Sequence, residues 1–349
     1  MNSSGCWRPS RPPTTRIRST SMPVQMTIIG MGQIGTSFGL ALREHGEAVY
    51  RRGYDKELGL ANKAKAQGAL DERFINLPNA VAGADIVLLA LPVHEIRPAL
   101  ELIAPDLKEG AVVLDTAPAK SAVRAWAQEL LPPERYYVGL MPVLNPAYLY
   151  LEATGQEAAR ADLFRGMPMM IAAPPGTPSE AVKLAADLSR LLGATPLFAE
   201  LVEVDSLMTR VDLLPRLLAA ALVETTADKP GWREGRQLTG RAYTEVTASL
   251  GRMEDASALS RALTLNRQNA LRSLDAFIAA LQQIRADLDA EDEEALKTRL
   301  EKAQAGRRRW WGQRLSGDWQ APEAPKAEMP SASGMFARML GFGRRKRSE

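Results

Sequence analysis

Cysteine and histidine are nearly absent from this chain of 349 residues, which carries one cysteine, Cys6, and two histidines, His45 and His94. A lone thiol excludes an intrachain disulfide and fits a reducing, cytoplasmic setting. So few thiols and imidazoles cannot assemble a zinc cluster, and the acidic stretch at residues 289–294 reads as a solvated helix end, so no metal is expected. Also missing are a serine elbow, a cysteine–histidine pair and the phosphate loop of nucleoside triphosphatases, which removes acyl transfer and that kind of phosphate chemistry. No apolar run approaches the roughly 20 residues that a membrane span requires. The amino-terminal stretch is rich in Ser, Pro, Thr and Arg and lacks the hydrophobic core of a secretory signal, so residues 1–24 are read as a disordered leader.

Hydrophobic residues at 46% and charged residues at 24% describe instead a globular chain with room for two domains. The formal charge of +3 is local in origin. Arg307-Arg308-Arg309-Trp310-Trp311 and Arg344-Arg345-Lys346-Arg347 supply much of it from residues 305–349, read as a disordered basic tail. Solvated charge is preferred there to a lipid or nucleic-acid contact.

The organising stretch is Gly30-Met31-Gly32-Gln33-Ile34-Gly35. The apolar run before it, residues 24–29, suits a buried parallel strand, and residues 33–43 carry apolar side chains at helical spacing. In such a turn the first glycine permits the bend, the second lets backbone approach a pyrophosphate, and the third lets helix pack on strand. Free amides at the helix start then face the phosphates. The next strand, residues 48–54, ends in Asp55, about 20 residues beyond Gly35, where a carboxylate accepts the ribose hydroxyls of an adenosine. That favours NAD, with NADP left open because Arg51 or Arg52 could compensate a 2'-phosphate.

Strand and helix then alternate. A strand at 86–91 ends in Leu91 and Pro92, positions at a carboxyl strand end that border the nicotinamide half of the cofactor crevice. A helix at 96–107, a strand at 111–114 ending in Asp115, a helix from Lys120 to about residue 131 and a short strand at 137–139 follow. Segments 163–173 and 195–201 bracket a helix at 179–192 and extend the sheet. Beyond residue 203 the period becomes helical. Residues 204–226 read as one long helix bent near Pro215, residues 231–240 as a loop, residues 242–250 as a helix and residues 256–288 as a single helical run. Leu259, Leu263, Leu271, Leu274, Phe277, Ile278, Leu281, Ile284 and Leu288 give that run an apolar stripe wider than a lone surface helix uses, so a homodimer is expected. The architecture expected is α/β: a Rossmann-type parallel sheet over residues 25–202, followed by an all-helical dimerisation and substrate domain over residues 203–304.

Gly30-Met31-Gly32-Gln33-Ile34-Gly35, Gly53-Tyr54-Asp55, Leu89-Ala90-Leu91-Pro92-Val93, Asp115 with Lys120, and Gly139 with Pro142 together resemble the prephenate and arogenate dehydrogenases of tyrosine biosynthesis. Asp205 and Leu214-Pro215 resemble their helical dimerisation domain. The resemblance implies an NAD(P)-dependent oxidoreductase that removes a hydride from a ring carbon bearing a hydroxyl while carbon dioxide leaves, with cations for a small carboxylated substrate. Gly30, Met31, Gly32, Gln33, Ile34, Gly35, Asp55, Leu91 and Pro92 are the expected cofactor contacts, and Lys120, Arg210 and Arg216 the expected substrate contacts.

The chain departs from the family pattern where the chemistry is done. Pro118 stands at the family's serine position, Met141 at its catalytic histidine, and Val204, Asp212, Leu213 and Arg216 fill further polar positions of the helical motif. The family's Thr-Arg pair has no match over residues 240–249. With two histidines in the whole chain no shift of alignment restores the lost imidazoles. His45 fits a helix end, and His94 is the weak candidate for a replacement acid–base group. Two alternatives to the dehydrogenase reading follow: a non-catalytic NAD-binding dimer, and a dehydrogenase or imine reductase of another small substrate.

Overall fold

The computed structural model describes residues 23–253 and 255–319; Cys6 and the Arg344–Arg347 cluster lie outside them. Eight strands form one sheet: β1 (Val24–Ile29), β2 (Val49–Tyr54), β3 (Glu72–Arg73), β4 (Ile86–Leu89), β5 (Val112–Asp115), β6 (Tyr136–Pro142), β7 (Pro168–Ala172) and β8 (Thr195–Phe198), in the order β3-β2-β1-β4-β5-β6-β7-β8. The first six run parallel, as the alternation of strand and helix requires. β7 is antiparallel to β6, and β8 is parallel to β7. The expected extension of the sheet is therefore present, but its direction reverses at β7.

Helices α1 (Gln33–Ala41), α2 (Leu58–Ala66), α3 (Leu77–Val81), α4 (Val93–Ile103), α5 (Lys120–Leu130) and α6 (Ser179–Leu191) connect the strands. Successive side chains of a buried strand point to opposite faces, and the two cores follow that rule. Met26 and Ile28 join Phe38, Phe164 and Leu188 on one face, while Ile29, Val87 and Leu89 join Ile96, Val123 and Trp126 on the other. Phe38 is fully buried and meets Phe164 edge to face at 5.0 Å; burying such a ring contributes about 1.5–3 kcal/mol.

The second core continues into the helices that follow: Leu201 and Val204 of α7 (Leu201–Met208), Leu213, and Ala262 further along the chain pack into it. The single bent helix expected over residues 204–226 is a continuous helical path with a wide π-type turn at Thr209–Leu213 between α7 and α8 (Leu214–Thr226). Pro215, in the first turn of α8, has no amide to donate backward, and the chain widens just before it. Residues expected as a loop hold a short helix, α9 (Trp232–Leu238), before α10 (Arg241–Gly251).

The unbroken helix expected over residues 256–288 is instead α11 (Ala256–Leu265) and α12 (Arg267–Asp289), divided at Asn266. The Asn266 side-chain amide donates to the Pro118 carbonyl at 2.9 Å and so ties the break to the loop after β5. No residue of α12 is buried within the single chain, and Ile278, Leu281 and Leu288 stay exposed. A second compact unit begins at Ala290. It holds α13 (Glu293–Ser316), which carries helix through Arg307–Ser316, where composition points to a mobile tail. Its Arg, Gln and Ala content outweighs Gly306 and Gly312, and Arg307 packs over the rings of Trp310 and Trp311 at 4.8 and 4.9 Å. Among the described residues no helix is long and apolar enough to cross a membrane, and no group of side chains could hold a metal.

Candidate functional site

The turn from β1 into α1 has room only for glycine at two of its three spaced positions. Gly30 takes φ +92°, and a Cβ there would lie 2.4 Å from the Ala90 carbonyl oxygen; at Gly35 it would lie 1.9 Å from the Gly30 carbonyl oxygen. At Gly32 a Cβ would meet nothing within 4 Å. Gly30 and Gly35 thus seal the bend against neighbouring backbone, whereas Gly32 leaves an open concavity at the start of α1, the shape and polarity that a pyrophosphate requires. The residues present fit a dinucleotide.

Two adjoining cavities open from this turn. The first, about 660 Å³, runs over the carboxyl ends of β1, β2 and β4 and is lined by Gly30, Gly32, Asp55, Lys56, Leu91 and Pro92, with His94 and Asp255 on its rim. Asp55 closes β2 with both oxygens in use, accepting from the Met31 amide at 2.7 Å and the Glu57 amide at 2.8 Å, yet it still faces the cavity. Neither neighbouring arginine reaches it. Arg51 is buried and clamps Asp71 while donating to the Gly39 and Gly68 carbonyls; Arg52 donates to Ala82 and Asn79 and lies over Phe74 at 4.5 Å. Lys56 is the cation on this wall, held by Glu95 at 2.6 Å.

The second cavity, about 440 Å³, shares Gly32, Ala90, Leu91, Pro92 and Asp255 with the first and continues toward the helical half. Gln33 and Ile34 line it, as do Pro118 and Met141, so the positions that carry a serine and a histidine in the family pattern do face this space. Met208, Met253 and Leu213 add to an apolar wall. Its cations are Arg216, paired with Asp212 at 2.7 Å, and Arg252, whose guanidinium makes no hydrogen bond or ion pair within the described residues. Arg252 stands in the turn after α10, just past the stretch where the family's Thr-Arg pair is sought. Its position beyond a helix end was the one available signal.

The other expected site residues fall elsewhere. Met31 is fully buried in the first core, and neither it nor Gly35 lines a cavity. Arg210 is exposed on the π-type turn and lines neither cavity. Lys120 is wholly buried and lines neither cavity: its ammonium donates to the Asp115 carboxylate at 2.8 Å and the Asp115 carbonyl at 3.0 Å. Burial draws that ammonium below its ordinary pKa against the opposing pull of Asp115. Tyr137 donates to the other Asp115 oxygen at 2.6 Å, and burial, then Asp115, push the phenol well up. Gly139 makes space for this cluster, since a Cβ there would come 2.8 Å from the Lys120 side chain.

His94, at the start of α4, points its Nε2 to the Asp255 carboxylate at 3.1 Å and lines the first cavity only. Its Nδ1 is buried with no hydrogen-bond partner among the described residues. Asp255 also caps α11 by accepting from the Ser257 amide, and that bond first, then His94, hold its carboxyl below the usual range. The imidazole thus bridges the sheet-bearing half and the helical half above the junction of the two cavities.

The sequence signature of the prephenate dehydrogenase nucleotide-binding domain matches residues 38–196, and that of the prephenate dehydrogenase dimerization domain matches residues 202–302. The chain belongs to the prephenate and arogenate dehydrogenase family. Its fold, a Rossmann-type NAD(P)-binding sheet followed by a helical dimerisation domain, is the family's. Cyclohexadienyl dehydrogenase of Zymomonas mobilis is 27% identical over 288 residues, covering 81% of this chain and 94% of that protein. Prephenate dehydrogenase from Aquifex aeolicus, solved with hydroxyphenyl propionate and NAD+, shares the fold at a TM-score of 0.72 and 22% identity over 83% of this chain and 99% of its own. Synechocystis arogenate dehydrogenase does so at 0.65 and 22% identity, over 82% and 100%.

Proposed function

We propose that this family member is an NAD-preferring dehydrogenase that oxidatively decarboxylates prephenate, arogenate or a close carboxylated analogue. The observation that carries the reading is the second cavity, in which the open side of the glycine turn faces two arginines. Gly32 and the amides opening α1 would hold the diphosphate, Asp55 the adenosine ribose, and Leu91 and Pro92 the nicotinamide end. When bound, the nicotinamide supplies the hydride acceptor. Arg216 and Arg252 would take the substrate carboxylates through planar, charge-assisted hydrogen bonds. Asp55 supports NAD over NADP, because Arg51 and Arg52 are committed to other partners.

The absence of an imidazole does not by itself disable such a reaction. When a cyclohexadienol loses hydride from the carbinol carbon and carbon dioxide from the opposite ring carbon, the ring becomes aromatic and the hydroxyl hydrogen stays on the phenol. No net proton is released. General acid–base help contributes roughly 10²–10⁴-fold, so the rate falls where Met141 and Pro118 line the pocket but the route remains open. Steady-state assays of prephenate and arogenate, each with NAD and NADP, test the reading; no turnover above background in any combination refutes it.

Met141 and Pro118 also favour a second reading, a dimer that binds the dinucleotide without turning over substrate. Calorimetric binding of NADH with no activity in those assays would select it. In both readings a second copy of the chain covers the apolar stripe of α12, which its own chain leaves unburied.

A further inference from the structure

A third cavity, about 250 Å³, lies elsewhere on the nucleotide-binding domain and shares no lining residue with the two just described. Arg43 and His45 reach it from the 3-10 turn that follows α1, Arg165 from the turn before β7, and Arg190 from the last turn of α6. Four basic side chains from three distant segments therefore converge, and Glu44 is the one acidic side chain among the described lining residues. Arg190 is engaged by Asp187 at 2.6 Å. The Arg43 and Arg165 guanidinium groups and the His45 imidazole make no hydrogen bond or ion pair within the described residues.

Two helix ends, of α1 with its following turn and of α6, explain part of this arrangement, because carbonyls at a helix carboxyl end attract cations. They leave the guanidinium edges unused. Each guanidinium presents five N–H donors in a flat fork that matches phosphate and carboxylate oxygens, and like charges gathered at one concavity repel unless they share a counter-charge.

We propose that this cavity is a binding site for a small phosphate-bearing anion, held between Arg43 and Arg165 with Arg190 and His45 on its flanks. Its occupancy is separable from the dinucleotide cradle. Helix α1, 9 residues and so about 14 Å long, begins at the glycine turn and ends at this wall.

The test titrates the full chain with inorganic phosphate against sodium chloride at matched ionic strength, reading the thermal midpoint and calorimetric heat. A saturable rise with phosphate and none with chloride is expected, since a ligand of the folded state alone raises its stability. In the Arg43→Gln/Arg165→Gln variant, both of whose sites are exposed, phosphate should bind at least about tenfold more weakly, read as the phosphate-dependent shift from that variant's own phosphate-free midpoint. Glu44→Gln removes the opposing carboxylate and should tighten phosphate binding. Equal shifts in chloride would overturn the proposal as general screening. An undiminished shift in the double variant would overturn it by putting the phosphate at the glycine turn, and unaltered affinity in Glu44→Gln would overturn it as well.

Discussion

Asp205, on α7, caps α5: its carboxylate accepts the Lys120 amide at 2.5 Å and the Ser121 amide at 2.9 Å. Both bonds cross from the helical half to the sheet-bearing half, and Asp205 is 3% exposed. Asp205→Ala leaves a helix start without its cap inside the protein and should cost about 1–3 kcal/mol. Urea unfolding at neutral pH checks the value; an unchanged midpoint would remove the capping account.

Lys120→Met should act on stability, not on substrate affinity. Removing the ammonium strands the buried Asp115 carboxylate with the Tyr137 hydroxyl and the Ala117 amide as its remaining donors, and breaking a buried pair from one side typically costs about 3–5 kcal/mol. Denaturation measures the loss. A raised KM with an unaltered unfolding midpoint would return Lys120 to the substrate pocket.

Arg252→Gln keeps polarity and loses the charged fork. Loss of a charge-assisted contact to a carboxylate should raise KM for prephenate or arogenate by about tenfold to a hundredfold, with NADH affinity unchanged. Separate substrate kinetics and NADH fluorescence titration give the two numbers. Equal weakening of both ligands would show a general disturbance of the cleft.

Asp55→Asn should narrow the preference for NAD over NADP by removing the charge that repels a 2'-phosphate. The fall should appear in NAD affinity, while NADP affinity rises or holds. Because Arg51 and Arg52 stay tied to Asp71 and to backbone carbonyls, Lys56 is the cation left to receive the phosphate, and Asp55→Asn/Lys56→Gln should lose the NADP gain.

Asp71 links pH to stability. Partial burial raises its carboxyl pKa, but the hydrogen bonds and charge of Arg51 outweigh that and leave it below its ordinary 3.8. A carboxyl depressed in the folded state stabilises fully above its unfolded pKa and loses that contribution as pH falls through the folded value. The contribution is therefore intact at neutral pH and disappears in the strongly acid range. Asp71→Asn should lower the melting temperature at pH 7 and flatten its fall between pH 5 and pH 3; an equally steep acid limb would assign that slope to other carboxylates.

Local rules were enough to place the β1–α1 turn, Asp55, and the alternation that gives five of the six parallel strands; β3, two residues long, is too short to show a period. Spaced glycines, a strand-ending acid and hydrophobic period are carried by neighbouring residues, and each has a conformational reason that holds before any tertiary contact forms. The substitutions Pro118 and Met141 were legible in the same way, and both line the second cavity.

Folding alone decided which charges face that space. Lys120, Arg210 and Arg216 carry the same charge on paper, yet one is enclosed with Asp115, one is turned to solvent and one lines the cavity, while Arg252 arrives from a turn with no readable motif. A long side chain takes its direction from the backbone beneath it, and that backbone is fixed by contacts from far away in sequence: the Asp205 carboxylate holds the Lys120 amide from 85 residues away, and the Asn266 side chain ties the break before α12 to the Pro118 carbonyl across 148. Composition and spacing specify which residues are present, and only packing over such separations brings a cation and a cavity together.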